Sequence, residues 1–361
     1  MPGSEAARIG LILHDFPAGG TERIAIRLAN AWAGAGRAVT IFCGTTAGPA
    51  YADLADHVRR VPADPAIPRS AMSRWRLGRW LREIVQRHPV DVLVAPGNFH
   101  LPILFAAGRL PCAVVAKLSN PLVRRGRSGW LAPALRRRTI RHVDRLIAMS
   151  PALAREAEAV IRRPCNVLAE PILTAVASPR ARPAGPPVIL CAGRMVPQKR
   201  FMLALRAFAA LTDPAATLIL LGDGPERAML EGEAARLGIA GRTRFVGHVP
   251  DIAPWLAQAH ALLMTSRYEG YPAVLVEAIA AGVPIVSTPC SLALAEIADP
   301  PAAGLIASAD PAALAEALRQ ILSGNGVADD ARRTIVARHG APAAAAAWLA
   351  LLDRTVTEHA G

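Results

Sequence analysis

Short apolar runs bounded by glycine or proline alternate along the whole chain with longer segments of helical periodicity. Strands joined through a helix-length crossover lie parallel in one sheet, with helices on its faces. The runs predicted to be strands are Ile9–Leu13, Ala38–Cys43, Asp91–Ala95, Ala113–Lys117, Arg145–Met149 and Asn166–Ala169 in the first half, and Val188–Ala192, Thr217–Leu221, Thr243–Val246, Ala261–Thr265 and Pro284–Ser287 in the second. Each half is therefore predicted to form its own doubly wound α/β sheet.

A proline-rich stretch at 178–187, SPRARPAGPP, separates the two halves. Proline is excluded from helix interiors and central strands, so this stretch is the predicted linker. Residues 1–177 and 188–341 are the predicted domains. The Ala-rich residues 342–361 are predicted to form a helical tail, and the first domain is one candidate for the surface against which this tail packs. A ligand held by two such domains is expected in the interdomain cleft, at the carboxyl ends of the strands.

The positive charge is concentrated in the first domain. Residues 1–186 carry 27 Arg and Lys against 12 Asp and Glu, whereas residues 187–361 carry 14 against 16. Arginine with tryptophan at 69–88 and 124–145 suits adsorption to an anionic membrane surface, and it equally suits a solvated face. Nucleic acid is not an expected partner, because no recognition motif accompanies the charge.

Neither a membrane span nor a metal site is expected. No run reaches the roughly 18 uncharged apolar residues that span a bilayer, and residues 1–10 lack the apolar core of a signal peptide. The five cysteines are widely spaced, without a CxxC pair, and neither D-x-D nor metal-ligand spacing occurs. We therefore expect that the protein binds no metal or cofactor. We also expect it to be cytoplasmic, and to lie on the inner face of the cytoplasmic membrane if its basic face binds lipid.

The densest polar motif is SRYEGYPAVLVEAIAAGVPIVST at Ser266–Thr288. Pro272 suits the first position of a helix. Glu269 then lies in the loop before the helix and Glu277 inside it, and the free N–H groups near Gly270–Val274 form an anion site. A carboxylate accepts two hydrogen bonds from a vicinal diol. Glu277 therefore suits a ribose, and Glu269 suits a sugar hydroxyl or the positive charge that develops at an anomeric carbon.

A second motif, CAGRMVPQKRF, places two cations in the loop after a predicted strand that ends at Gly193. Arg194 and Lys199 could neutralise the charge that grows on a departing diphosphate. Nearly all basic residues of this chain are arginines, and Lys199 is the single lysine after residue 187. A lysine at this position is therefore a specific signal.

Shorter turns follow three other predicted strands. Gly19-Gly20 precedes a helix expected to be capped by Thr21, and glycine there permits close backbone approach to a phosphate or sugar. Asp223-Gly224 lies in an ordinary βα turn or supports a nucleotide, and His248-Val249 could present backbone groups to a base. The first turn lacks G-x-G-x-x-G, and no P-loop motif occurs in the chain, which excludes both nucleotide fingerprints.

Together, GGTER, GRMVPQK, GDGPE, FVGHV, the Glu269-x7-Glu277 block and Ala295–Leu318 resemble retaining glycosyltransferase family 4. The resemblance runs through nearly the whole chain. It implies the GT-B fold, in which two Rossmann-like doubly wound parallel-sheet domains face an interdomain cleft. It also implies a retaining hexosyl- or N-acetylhexosaminyl-transferase that uses a UDP- or GDP-linked sugar, with front-face attack by the acceptor.

Residue by residue, the resemblance implies that Arg194 and Lys199 hold the donor diphosphate, Glu277 binds the ribose, Glu269 contacts the donor sugar and Gly20 closes over the phosphate. Arg194, Lys199 and Glu269 are thus the predicted catalytic residues. The predicted donor-binding residues are Gly19, Gly20, Gly193, Asp223, Gly224, His248, Val249, Gly270, Tyr271, Pro272, Ala273, Val274 and Glu277.

The acceptor side departs from the family pattern. Many relatives carry a histidine after the fourth or fifth strand of the first domain, where this chain has Ser119 and Asn120. These two residues and the nearby His100 are the acceptor-side candidates. The expected acceptor is a lipid-linked or cell-envelope saccharide, as in polysaccharide or lipopolysaccharide biosynthesis.

Two other functions stay open for this architecture. A sugar-nucleotide epimerase would need acid/base carboxylates or histidines in the cleft and no acceptor, so release of nucleoside diphosphate only when an acceptor is supplied would distinguish a transferase from it. A non-catalytic sugar-binding relative would lack turnover, and the presence of Arg194, Lys199, Glu269 and Glu277 disfavours it.

Overall fold

The computed structural model describes residues 5–17, 19–122, 137–174, 183–298, 302–324 and 326–360. The chain divides into two compact units, Met1–Pro171 with Gly340–Gly361, and Ile172–His339. The first segment of the first unit thus ends at Pro171, before the predicted boundary at 177. Leu173 already packs with the second unit, since its N–H donates to the carbonyl of His339 (3.0 Å). Residues 178–182 of the predicted linker lie outside the described residues.

The first unit contains a seven-stranded sheet in the order β3-β2-β1-β4-β5-β6-β7. Every pairing between neighbours is parallel, which confirms the predicted doubly wound sheet. The order reverses direction at β1, the point where such sheets bind ligands. The strands are β1 Arg8–Leu13, β2 Ala38–Cys43, β3 Arg59–Pro62, β4 Val92–Ala95, β5 Ala113–Leu118, β6 Arg145–Ala148 and β7 Asn166–Val167.

The second unit repeats this plan with a six-stranded parallel sheet in the order β10-β9-β8-β11-β12-β13, which reverses at β8. Its strands are β8 Val188–Ala192, β9 Thr217–Leu221, β10 Thr243–Gly247, β11 Ala261–Met264, β12 Ile285–Ser287 and β13 Gly304–Ile306. Two of the thirteen described strands, β3 and β13, were not predicted. Both are short edge strands, and neither carries the apolar run that a central strand requires.

Helices connect the strands of both sheets. They are α1 Gly20–Gly34, α2 Ser73–Arg87, α3 Leu101–Ala107, α4 Pro151–Ile161, α5 Phe201–Ala210, α6 Arg227–Arg236, α7 Ala253–Leu256, α8 Ala273–Ala280, α9 Leu294–Ala298, α10 Pro311–Ser323, α11 Asp329–His339 and α12 Ala341–Ala360. Among the described residues, none of these helices combines the length and the apolar character needed to cross a bilayer. All five cysteines are buried and unpaired.

The last helix, α12, packs within the first unit. Trp348 is fully buried with its ring centroid 6.1 Å from that of Trp32, and its indole N–H donates to the carbonyl of Ala169 (3.0 Å). Asp353 accepts hydrogen bonds from the N–H of Ala6 (2.7 Å) and from Arg37 (3.1 Å). The residues after the second unit therefore complete the core of the first.

Replacement of Trp348 by alanine should destabilise the first unit by about 3–5 kcal/mol, because a large fully buried side chain leaves a cavity that the core fills only in part. Chemical denaturation followed by circular dichroism measures the loss. Trp75→Ala is the control, since that side chain is 49% exposed, and it should cost less than about 1 kcal/mol. Equal losses in the two variants would contradict a core role for α12.

Candidate functional site

The predicted donor residues of the second unit lie on loops at one edge of its sheet. Because β8 to β11 are parallel, the loops that follow their carboxyl ends emerge on the same side. The loop after β8 carries Arg194 and Lys199, the loop after β9 carries Asp223 and Gly224, the loop after β10 carries His248 and Val249, and the loop after β11 leads through Glu269 into α8.

Lys199 and Glu269 form a direct ion pair, although they are 70 positions apart in sequence. The ammonium Nζ lies 2.6 Å from the carboxylate Oε1, and the two side chains are 22% and 14% exposed. The stem of Lys199 crosses Gly193, where a Cβ atom would lie 3.2 Å from Lys199 Cε and where φ is +149°. The structure thus joins a predicted phosphate-binding cation to the carboxylate predicted to face the donor sugar.

Hydrogen bonds to backbone carbonyls hold the two loops of this pair together. The N–H of Arg267 donates to the carbonyl of Gln198 (2.8 Å), and the side-chain amide of Gln198 donates to the carbonyl of Tyr268 (2.9 Å). The hydroxyl of Thr265 donates to the carbonyl of Lys199 (3.0 Å). Gln198 and Thr265 are supporting residues that were not predicted, because each acts through a backbone carbonyl that is distant in sequence.

The turn after β9 packs directly against the end of β8. Gly222 has a φ of +123°, and a Cβ atom there would lie 2.0 Å from the carbonyl oxygen of Gly193. The N–H of Gly222 donates to the carbonyl of Gly247 (2.7 Å) at the end of β10. Only glycine fits at position 222, so this residue, which was not predicted, fixes the spacing of three strand ends. The carboxylate of the neighbouring Asp223 is exposed and accepts from Arg227 (3.3 Å).

Helix α8 presents one half-buried face, formed by Ala273, Val274 and Glu277. The first N–H groups of a helix have no intrahelical partner, and residues three and four apart share a face. Glu277 therefore lies one turn along the same face as the first two residues of α8. The structure corrects one detail, because Pro272 is the N-cap and the helix begins at Ala273.

Other predicted donor residues are less enclosed. The side chain of Arg194 is exposed, and none of the ion pairs within the described part of the chain includes it. His248 is exposed and Val249 half-buried after the end of β10. These residues are accessible at the same sheet edge as Lys199.

In the first unit, Gly19 is the N-cap of α1 and Gly20 its first residue. The prediction that Thr21 caps this helix is wrong. The carboxylate of Glu22 occupies the space beside Gly19, where a Cβ atom would lie 2.6 Å from Glu22 Oε2. A side chain at position 19 would displace that carboxylate, so the cap has none.

Ser119 and Asn120 are brought together by a residue that the sequence analysis missed. The side-chain oxygen of Asn98 accepts from the N–H of Ser119 (2.6 Å) and of Asn120 (3.2 Å), and its amide donates to the carbonyl of Asn120 (2.9 Å). Asn98 follows β4 and Ser119 follows β5, two neighbouring parallel strands. The three residues form a polar cluster at the carboxyl edge of the first sheet.

His100, the third acceptor-side candidate, is buried in the first unit with 1% of its surface exposed. Burial lowers the pKa of its imidazole to about 3. The side chain is therefore neutral at pH 7 and has almost no surface with which to touch an acceptor.

Both units of the chain match known protein families. The model of Glycosyltransferase Family 4 matches residues 18–169, and that of Glycosyl transferases group 1 matches residues 186–324. The lipopolysaccharide core biosynthesis glycosyltransferase LpsE of Rhizobium meliloti is 34% identical over 206 residues, which are 55% of this chain and 58% of LpsE. The chain thus spans little more than half the length of that relative.

Two solved structures share the fold. The apo form of the lipopolysaccharide outer core galactosyltransferase WaaB has a TM-score of 0.70 at 20% identity and covers 93% of this chain and 97% of its own. Anabaena Alr3699/HepE in complex with UDP and glucose has a TM-score of 0.73 at 17% identity, with 98% of each chain covered. At these identities the likeness concerns the fold.

The buried His100 should make the stability of the protein depend on pH. Its imidazole stays neutral in the folded state down to about pH 3, whereas in the unfolded chain it binds a proton near pH 6.5. Stability is thus lost as the pH falls below 6.5, by up to about 1.4 kcal/mol per pH unit from this group. Between pH 6.5 and 5, the free energy of unfolding of His100→Leu should fall less steeply than that of the wild type.

Urea denaturation at a series of pH values measures this difference. His57→Gln is the control, since His57 is exposed, and its profile should follow the wild type. Parallel profiles for His100→Leu and the wild type would contradict the neutral buried state.

Proposed function

Because the chain belongs to glycosyltransferase family 4 within the group 1 glycosyl transferases, we propose that it transfers a hexosyl or N-acetylhexosaminyl group from a UDP- or GDP-linked donor to a saccharide acceptor, with retention of anomeric configuration. The observation that carries the proposal is the ion pair of Lys199 with Glu269 at the carboxyl edge of the second sheet (2.6 Å).

The pair is suited to the charges that develop in such a transfer. When the bond from the anomeric carbon to the phosphate oxygen breaks, the carbon becomes positive and the departing phosphate more negative. A carboxylate and an ammonium already fixed side by side complement both charges. An ammonium has three donors, so Lys199 can bond to Glu269 and to a phosphate together. Arg194, exposed on the same loop, supplies the second cation, and the proposed reaction needs no resident metal.

The remaining donor contacts are assigned by position. The first N–H groups of α8 face the diphosphate, and Glu277, one turn further on the same face, accepts from the ribose hydroxyls. The residues at the ends of β9 and β10, including His248 and Val249, support the nucleotide. In the first unit, the backbone of Gly19 and Gly20 at the start of α1 remains a candidate phosphate contact.

For the acceptor we propose a lipid-linked or cell-envelope saccharide. Its hydroxyl groups would bind to the polar cluster of Asn98, Ser119 and Asn120. As the acceptor oxygen bonds to the anomeric carbon, its proton passes to the departing phosphate, so no histidine base is required. The assignment of LpsE to lipopolysaccharide core biosynthesis supports this class of acceptor.

A membrane surface is the proposed location of that acceptor. Helix α2 buries Leu77, Leu81 and Val85, and it exposes arginines on the opposite side. Met72 and Trp75, at the beginning of this helix, are 61% and 49% exposed. Exposed apolar side chains among arginines suit the headgroup layer of an anionic bilayer. Of the other tryptophans in the basic segments, Trp80 packs on Phe42 at 6.4 Å, and Trp130 lies outside the described residues.

Replacement of Lys199 by alanine should lower turnover by about 100- to 1,000-fold, the effect of losing one group that stabilises developing charge. The measurement is acceptor-dependent release of nucleoside diphosphate, after a thermal-shift screen of nucleotide sugars has identified the donor. Arg236→Ala, which removes a cation from a surface ion pair of the same unit, should retain activity. A Lys199→Ala enzyme with normal turnover would refute the diphosphate role, and release without any acceptor would refute transfer.

The membrane location predicts that the protein floats with anionic vesicles of phosphatidylglycerol at low salt and not with neutral phosphatidylcholine vesicles. Each basic group near the surface contributes about 1 kcal/mol, and added salt should release the protein. A Met72→Ser/Trp75→Ser variant should float less. Met229→Ser is the control, since it removes a side chain that is 51% exposed in the second unit. Failure of the wild type to float at low salt would exclude this location.

A further inference from the structure

The loop between β11 and α8, residues 265–272, is held at successive positions by residues from other parts of the second unit. The N–H of Glu269 donates to the carbonyl of Cys290 (2.7 Å), and the hydroxyl of Ser291 donates to the carbonyl of Gly270 (2.7 Å). Both partners follow β12, the strand next to β11 in the sheet. Glu269 and Gly270 are thus attached to the neighbouring loop of the same sheet edge.

The next residue, Tyr271, is attached to a different element. Its hydroxyl lies 2.8 Å from Nε2 of His339, within hydrogen-bond distance, and the two rings are 5.3 Å apart. His339 is fully buried at the end of α11, a helix that packs against α8. Its carbonyl accepts from the N–H of Leu173 (3.0 Å). The imidazole is therefore held in place by the surrounding fold, and its contact with the Tyr271 hydroxyl restrains the loop.

We propose that His339 is a positioning residue for the donor: through the hydroxyl of Tyr271 it holds the loop that carries Glu269 and that sets the start of α8. This inference rests on the proposed function. The loop is the part of the site between the carboxylate of Glu269 and the first N–H groups of α8, so its conformation sets the distance between the two. A loop already held in its bound conformation loses less entropy when the nucleotide binds.

The proposal predicts that Tyr271→Phe, which removes a single oxygen atom, weakens nucleotide binding by about 3- to 10-fold, the value of one hydrogen bond. Binding is measured by calorimetric titration of the full chain with UDP and, separately, with GDP. His339→Leu should cause a similar loss. The double variant should lose no more than either single variant, because both changes remove the same interaction.

Rescue separates positioning from a general loss of stability. His339→Gln keeps a side chain that can bond to the Tyr271 hydroxyl, so it should bind the nucleotide more tightly than His339→Leu does. Thr355→Val is the matched control. It removes a buried hydrogen bond, from the hydroxyl to the carbonyl of Leu351 (2.7 Å), in the first unit. It should lower the melting temperature without changing nucleotide affinity.

The two proposals fail in different ways. If the wild type binds UDP or GDP and Tyr271→Phe binds it equally well, the positioning role of His339 is wrong and the proposed transfer reaction stands. Additive losses in the double variant, or no recovery in His339→Gln, would also overturn the positioning role. If the wild type binds neither nucleotide, both proposals fail.

Discussion

The ion pair between Lys199 and Glu269 depends on β8 and β11 being parallel neighbours in one sheet. In a parallel sheet the carboxyl ends of all strands reach the same edge, so loops that are distant in sequence meet there. Glycines at the ends of β8 and β9 let the backbones come into contact and leave room for the stem of Lys199. The charged groups of the site are thus placed by backbone geometry, and the hydrogen bonds of Gln198 and Thr265 fix the remaining freedom.

The same principle operates in the first unit, where Asn98 after β4 bonds to Ser119 and Asn120 after β5. The other lysine of this arginine-rich chain, Lys117 at the end of β5, forms a buried ion pair with Glu170. An ammonium is more compact than a guanidinium and donates in three directions. Both lysines therefore occupy positions where a carboxylate must be met in an enclosed space, which explains why these two positions hold lysine.

The central strands, such as β1 and β8, could be predicted from the sequence because they are apolar runs. The edge strands β3 and β13 could not be predicted, because they are short and lack such a run. Lys199 and Glu269 stood out singly through residue type and motif. Their pairing depends on strand order, which no local pattern contains. The burial of His100 and the contact of Tyr271 with His339 likewise arise from tertiary packing. Sequence thus indicates which residues carry chemistry, and packing decides which of them meet.

The position of α12 has a consequence for biosynthesis. A ribosome delivers all of residues 172–339 before it delivers α12, which contributes Trp348 to the core of the first unit. Domains generally fold as units while the chain emerges, with the N-terminal one first. In this chain the second unit has its whole sequence available earlier. Until α12 is made, the first unit lacks the side chain that covers Trp32, so its core can be completed only after the whole of the second unit has been translated.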